Sequence, residues 1–160
     1  MTQGTDFSKK LASFRIFEGV NASELEVLSP VFSERIFKGG EHLTQFDKME
    51  KEIYFIVCGK VQVTVPNANG QRNEFICDLT ENDTVGEFLL ARTARRSASC
   101  VAFSEVTALI TDGEQLSLFL QSHPEIGVKV FRNLSRILVD RLSDNNMLLR
   151  RVMGTDSLFL

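Results

Sequence analysis

Gly86-Glu87-Phe88-Leu89-Leu90, a short loop, and Arg95-Arg96-Ser97 bring a carboxylate, a run of main-chain amides and two guanidiniums close together in the chain. A helical turn opening at Gly86-Glu87 leaves the amides of Phe88 to Leu90 without intrahelical acceptors, and such an end attracts phosphate. Arg96 adds a permanent charge whose planar fork of donors matches phosphate oxygens, and residues 92–95 can fold it back over the turn. Glu87 would repel a bare phosphate, so its natural task is to accept a hydrogen bond from a sugar hydroxyl. Carboxylate, free amides and arginine together describe a cradle for a sugar phosphate. Taken singly, each residue also has a plainer reading: Glu87 as an acid in a first helical turn, Arg95 and Arg96 as a solvated pair.

The elements that would position this cradle are mostly strands. Arg35-Ile36-Phe37-Lys38 reads as a strand, Gly39-Gly40-Glu41 as a turn, and the residues near Leu43 as the next strand. Ile53-Tyr54-Phe55-Ile56-Val57 is almost continuously apolar, as a buried strand would be. Lys60 to Val65 alternates, with Val61, Val63 and Val65 on one face. Asn69-Gly70 suits a turn with positive φ, and Phe75-Ile76-Cys77-Asp78-Leu79 returns as a strand. After the cradle, Ser99 to Ala102 and Val106 to Thr111 add two more. Seven or eight short, closely spaced strands imply a sandwich or jelly roll. Helices flank it. Phe7, Leu11, Phe14 and Phe17 form a helical stripe; Asn21 and Glu24 mark the start of a second helix whose apolar face is Leu25, Leu28, Val31 and Phe32. A short helix follows Asp112-Gly113 and stops before His123-Pro124. From Pro124 an amphipathic helix runs to about Val152 through Ile126, Val130, Phe131, Leu134, Ile137, Leu138, Leu142, Leu148 and Leu149, with Gly154 as its stop.

Gly86-Glu87-Phe88-Leu89-Leu90 followed by Arg96-Ser97-Ala98-Ser99 resembles the phosphate-binding cassette of the cyclic nucleotide-binding domain, as found in catabolite activator proteins and regulatory subunits of cyclic AMP-dependent kinase. The ten-position step from Gly86 to Arg96 matches the kinase subunits. Two positions depart from the pattern: Leu89 stands where Ala or Gly is usual, and Arg95 where many relatives have proline. The resemblance implies a mainly β fold, a double-stranded β-helix jelly roll with N-terminal helices and a long C-terminal helix. It assigns Glu87 to the ribose 2′-hydroxyl, Arg96 and the Gly86, Phe88 and Leu89 region to the cyclic phosphate, and Ser97 to an added hydroxyl contact. The ligand it implies is cyclic AMP or cyclic GMP, and relatives preferring cyclic GMP often carry a hydroxyl at the position of Ser97. The long helix, 124–152, would close over the base and pair with its twin in a homodimer.

Composition narrows the classes. With 160 residues, 43% apolar and 24% charged, the chain suits one folded domain. Its parts are expected at 1–32 (helical), 33–111 (β-roll, cassette 85–101), 112–153 (helices) and 154–160 (tail). A net charge of −3 offers no electrostatic footprint for nucleic acid or an anionic membrane. No apolar run approaches a bilayer span, and the polar N-terminus lacks the centre of a signal peptide, so a cytoplasmic location is expected. Cys58, Cys77 and Cys100 are too scattered for a zinc site and read as reduced, small core residues. Only eight residues follow Val152, too few for a helix-turn-helix, so direct DNA binding is not expected and the output partner is an unknown protein.

Three functions follow. The first is a nucleotide-binding sensor that signals through its last helix. The second keeps the fold, lets Leu89 fill the phosphate position, and leaves a dimerising or protein-interaction module that binds no nucleotide. The third is a cupin-type metalloenzyme, which the two distant histidines, His42 and His123, do not equip with ligands; no catalytic residue and no metal is assigned.

Overall fold

The computed structural model describes residues 7–153, with side chains for 7–150. Eight strands form two four-stranded antiparallel sheets: β1 (Ser33–Phe37), β8 (Val106–Asp112), β3 (Glu52–Cys58) and β6 (Thr84–Val85) in one, and β2 (His42–Thr44), β7 (Ser99–Ala102), β4 (Val61–Pro66) and β5 (Asn73–Leu79) in the other. This is the expected jelly roll with flanking helices.

The apolar run in β3 is continuous because both of its faces are covered. Tyr54 and Ile56 point into the roll, where they meet Phe37, Leu43, Val61, Val85 and Ala108. Ile53 and Phe55 point out, toward the helices, and share a second core with Leu109, Phe14, Phe17 and Leu28. Phe55 contacts three rings there: Phe14 edge-on at 5.2 Å, Phe17 stacked at 5.5 Å and Phe32 edge-on at 5.4 Å. Side chains two apart on a strand share a face, so one strand builds both cores.

The N-terminal stripe does not form one helix. A four-residue helix α1 (Ser8–Leu11) gives way to extended backbone at Phe14 and a 3-10 turn at Arg15–Phe17. The break lets Phe14 and Phe17 both reach Phe55. Helix α2 (Ala22–Leu28) begins with the capping box expected of Asn21 and Glu24. Helix α3 (Gly113–Ser122) is capped by the Asp112 carboxylate, which accepts from the amides of Glu114 and Gln115. Helix α4 spans Pro124–Met153. The expected stop at Gly154, the tail and the side chain of Val152 lie outside the described residues.

Helix α4 has two unlike halves. Ile126, Val130, Asn133 and Leu134 are buried, and the Asn133 side-chain amide donates to the carbonyls of Ile16 (3.1 Å) and Glu18 (2.7 Å). Lys129 pairs with Glu24 at 2.6 Å. Beyond Ile137 the apolar residues Leu138, Val139, Leu142, Met147, Leu148 and Leu149 are exposed.

The cysteines differ from expectation. Cys100 is buried, but Cys58 and Cys77 are exposed. Cys58 ends β3 at the Gly59 turn, and Cys77 lies on β5, an edge strand with little cover on either face. Among the described residues no helix is long and apolar enough to cross a membrane, and no three His, Cys, Asp or Glu side chains are grouped to hold a metal.

Candidate functional site

Strand β6 pairs with β3 through Val85 and Tyr54, and the chain then leaves the sheet at Gly86, whose φ is +82°. The residues that follow, Glu87–Leu90, form a 3-10 turn. Only glycine serves at position 86. A Cβ there would collide with Nη1 of Arg96 and lie 3.3 Å from the Glu52 carbonyl oxygen, in a backbone region that L side chains avoid. Gly86→Ala is therefore expected to cost about 1–2 kcal/mol from the backbone alone and to push the guanidinium out of place. Urea denaturation would show the first effect and loss of ligand affinity the second.

Arg96 is 3% exposed and fixed from three sides. Its Nε donates to the Glu50 carboxylate at 2.9 Å, its Nη2 donates to the Glu52 carbonyl at 2.5 Å, and its guanidinium carbon lies 5.9 Å from the centre of the Tyr54 ring. Main-chain bonds anchor the residue itself: its amide donates to Lys48, and its carbonyl accepts from the amide of Asp47, both at 2.9 Å. Asp47 makes this turn with φ +62°. The remaining nitrogen, Nη1, is buried without a hydrogen-bond partner. A buried guanidinium donor with no acceptor is costly, and an anion relieves it. Arg95 has a different place: it is exposed and donates to the Asp47 carbonyl at 2.7 Å.

Glu87 is fully buried. Its Oε1 accepts from Nη1 of Arg141 on α4, while its Oε2 has no partner. Burial pushes the carboxyl above its ordinary range, and the positive charges of Arg141 and, more weakly, Arg96 pull it back.

A cavity of about 630 Å³ opens in front of Arg96, between β4, β5, the cassette and α4. Its apolar wall includes Val63, Val65, Ile76, Leu79 and Phe88; Gly86, Arg96, Ser97 and Ala98 form the polar end; Arg141, Asp144 and Asn145 approach from α4. The volume lies within the range typical of small-ligand sites. Cys100, buried, and Cys77, exposed to solvent on one side but partly desolvated on the cavity side, also face it; desolvation raises both thiols, so neither is a ready nucleophile.

Of the sequence-expected residues, Gly86, Phe88, Arg96 and Ser97 line this cavity. Glu87 is adjacent but faces a smaller cavity of about 160 Å³ on the far side of Arg141. Leu89 lies elsewhere: its side chain is 8% exposed, belongs to the core beneath the helices, and approaches Gly113 on α3. This placement does not match the alternative in which the Leu89 side chain fills the phosphate position. Glu50, the Glu52 carbonyl, Tyr54 and Arg141 are functional neighbours that the sequence did not reveal. They come from positions 42 to 54 residues away in the chain from the groups they touch.

Residues 34–123 match the family model described as the cyclic nucleotide-binding domain. The chain belongs to this family. Among curated relatives it is 29% identical over 133 residues to Glutaminase 1 of Bradyrhizobium diazoefficiens, covering 83% of this chain and 21% of that protein. It is 27% identical over 137 residues to the CRP-like cAMP-activated global transcriptional regulator of Mycobacterium tuberculosis, covering 86% and 60%. The chain thus spans about a fifth of the first relative and 60% of the second. A solved structure of a cyclic nucleotide-binding domain from Methylobacillus flagellatus superposes with a TM-score of 0.78 at 20% identity, covering 97% of this chain and 89% of that one. That likeness confirms the family's jelly roll and long last helix.

Proposed function

We propose that this domain is a non-enzymatic sensor that takes a cyclic mononucleotide, cyclic AMP or cyclic GMP, into the larger cavity. Nη1 of Arg96 and the amides near Phe88 and Leu89 hold the cyclic phosphate, with Ser97 adding a hydroxyl; Glu87 takes the ribose hydroxyl; the base lies along Val63, Val65 and Phe88 beneath α4. The observation that carries this reading is the buried, partnerless Nη1 of Arg96, held rigidly at the polar end of a cavity of suitable volume. The name of the Mycobacterium tuberculosis relative, a cAMP-activated regulator, supports the same ligand class.

The signal passes through α4. A ligand can move that helix only by as much as it prefers one helix position over another. Exposed Leu138, Leu142 and Leu149 are spaced with Asn145 in a 4-3-4 pattern, the seam of a two-stranded coiled coil with one polar position to set its register. A second copy of the chain is the partner this seam suits, and an output protein unknown by name would read the result.

Isothermal calorimetry with each nucleotide tests the ligand reading. One-site binding is expected, and ligand at about 100 times Kd adds about 2.7 kcal/mol of stability, a rise in Tm of several degrees. No heat and no thermal shift at millimolar nucleotide would refute the reading and favour a silent interaction module. Sedimentation with and without nucleotide tests the dimer.

A further inference from the structure

The smaller cavity, about 160 Å³, is bordered by six charged side chains: Arg15 from the N-terminal segment, Asp83 and Glu87 from the roll, and Asp140, Arg141 and Asp144 from α4. Four carboxylates against two guanidiniums leave two negative charges in excess. Arg15 pairs with Asp140 at 2.7 Å, and Arg141 with Oε1 of Glu87. Asp83 and Asp144 make no ion pair among the described residues. Asp83 gives one oxygen to the Thr80 amide at 2.8 Å, which fixes it in the turn before β6. The excess charge is therefore divided between the roll and α4. Glu87 adds a second, independent observation. Its side chain is fully buried, its Oε2 has no partner, and this is the cavity that the residue borders. A buried carboxylate oxygen without a donor is costly.

We propose that the smaller cavity is a site for a short alkyl diamine, held at one end by Oε2 of Glu87 and Asp83 and at the other by Asp144, so that it ties α4 to the roll. Charge and size choose this class of ligand. Two ammonium groups match the two unpaired carboxylates, and an ammonium donates without accepting, which is what Oε2 lacks. A metal ion is a poorer match, because these acids are not grouped closely enough to coordinate one, whereas a chain of methylenes spans separated acids. The volume holds about five water-sized groups at about 30 Å³ each, roughly the size of 1,3-diaminopropane or 1,4-diaminobutane. Of the Glu87 carboxylate the diamine uses Oε2 alone, so Oε1 stays with Arg141, and the site is independent of the nucleotide reading.

Calorimetry with 1,4-diaminobutane at constant ionic strength tests the site, and one saturable event is expected. 1-Butylamine, with a single ammonium, should bind about tenfold more weakly, and 1,4-butanediol, with none, should not bind. Asp144→Asn and Asp83→Asn should each weaken the diamine about tenfold, the worth of one charge-assisted hydrogen bond. Asp78→Asn, which removes an acid outside the cavity that pairs with Lys60, should leave it unchanged. Hydrogen exchange over 82–87 and 137–145 should slow when the diamine is added. A thermal melt shows whether each variant is folded, and the three ligands read the wild type whatever the variants do. Equal binding of butylamine or butanediol would overturn the match of two charges. An equal loss in Asp78→Asn would mean diffuse attraction to an acidic surface and would overturn the site. Unchanged affinity in folded Asp144→Asn, or unchanged exchange over 137–145, would overturn the tie to α4. No heat at millimolar diamine would overturn the proposal as a whole.

Discussion

Arg96→Ala is expected to abolish high-affinity nucleotide binding while leaving a folded domain. Arg96 is a buried cation at the polar end of the larger cavity, and its Nη1, without a partner, is already desolvated before ligand arrives. Truncating one partner of a buried, charged hydrogen bond costs about 2–5 kcal/mol, which corresponds to some 30-fold to several thousand-fold in Kd. The fold should survive because Glu50, the group left behind, has a side chain 25% exposed and can take up water. Arg96→Lys should rescue little: a single ammonium cannot serve Glu50, the Glu52 carbonyl and a phosphate at once, as the planar fork does. Calorimetry beside a thermal melt separates affinity from stability. Binding by Arg96→Ala within about threefold of the wild type would remove the arginine from the phosphate site, since a lost charged contact is worth far more.

Leu89→Ala should act in the opposite sense from the one its position in the motif suggests. A leucine obstructing the phosphate would give tighter binding once trimmed. In the folded chain its side chain packs in the core beneath the helices, near Ile53 and Gly113, and does not line the cavity in front of Arg96, so trimming it removes core contacts without enlarging that cavity. The expected loss is about 2–4 kcal/mol, as for other buried leucines, and Tm should fall by roughly 5–15 °C in a domain of this size. Intrinsic affinity measured well below the melt should be unchanged. A stable variant with improved affinity would restore the obstruction reading.

These two residues illustrate what the sequence carried and what it did not. Strand order in the chain, the capping box at Asn21, the helix start after Asp112 and the start of α4 at Pro124 were legible because each is set by residues within a few positions of one another. The direction of Leu89 was not. A four-residue 3-10 turn sends successive side chains about 120° apart, so Phe88 reaches the cavity while Leu89 and Leu90 enter the core, and no periodicity is long enough to show which residue goes where. The support of Arg96 by Glu50 and of Glu87 by Arg141 was equally hidden, with separations of 46 and 54 residues. The N-terminal stripe misled for a related reason: Phe7, Leu11, Phe14 and Phe17 share a core, but they reach it through a broken segment that brings Phe14 edge-on and Phe17 stacked against Phe55. The cysteines were assigned to the core from their scattered spacing and residue type, and the edge position of β5 decided otherwise for Cys77.

The division of α4 has a mechanical consequence. Sixteen residues, 138–153, extend past the packed half, and at 1.5 Å per residue they make an arm about 24 Å long. With its root bolted down by Asn133 and Lys129, a pivot of about 10° would sweep the tip through about 4 Å, close to the rise of three residues in a helix. On the proposed sensor reading, small adjustments beside a bound nucleotide would be converted into displacements large enough for a neighbouring molecule to feel.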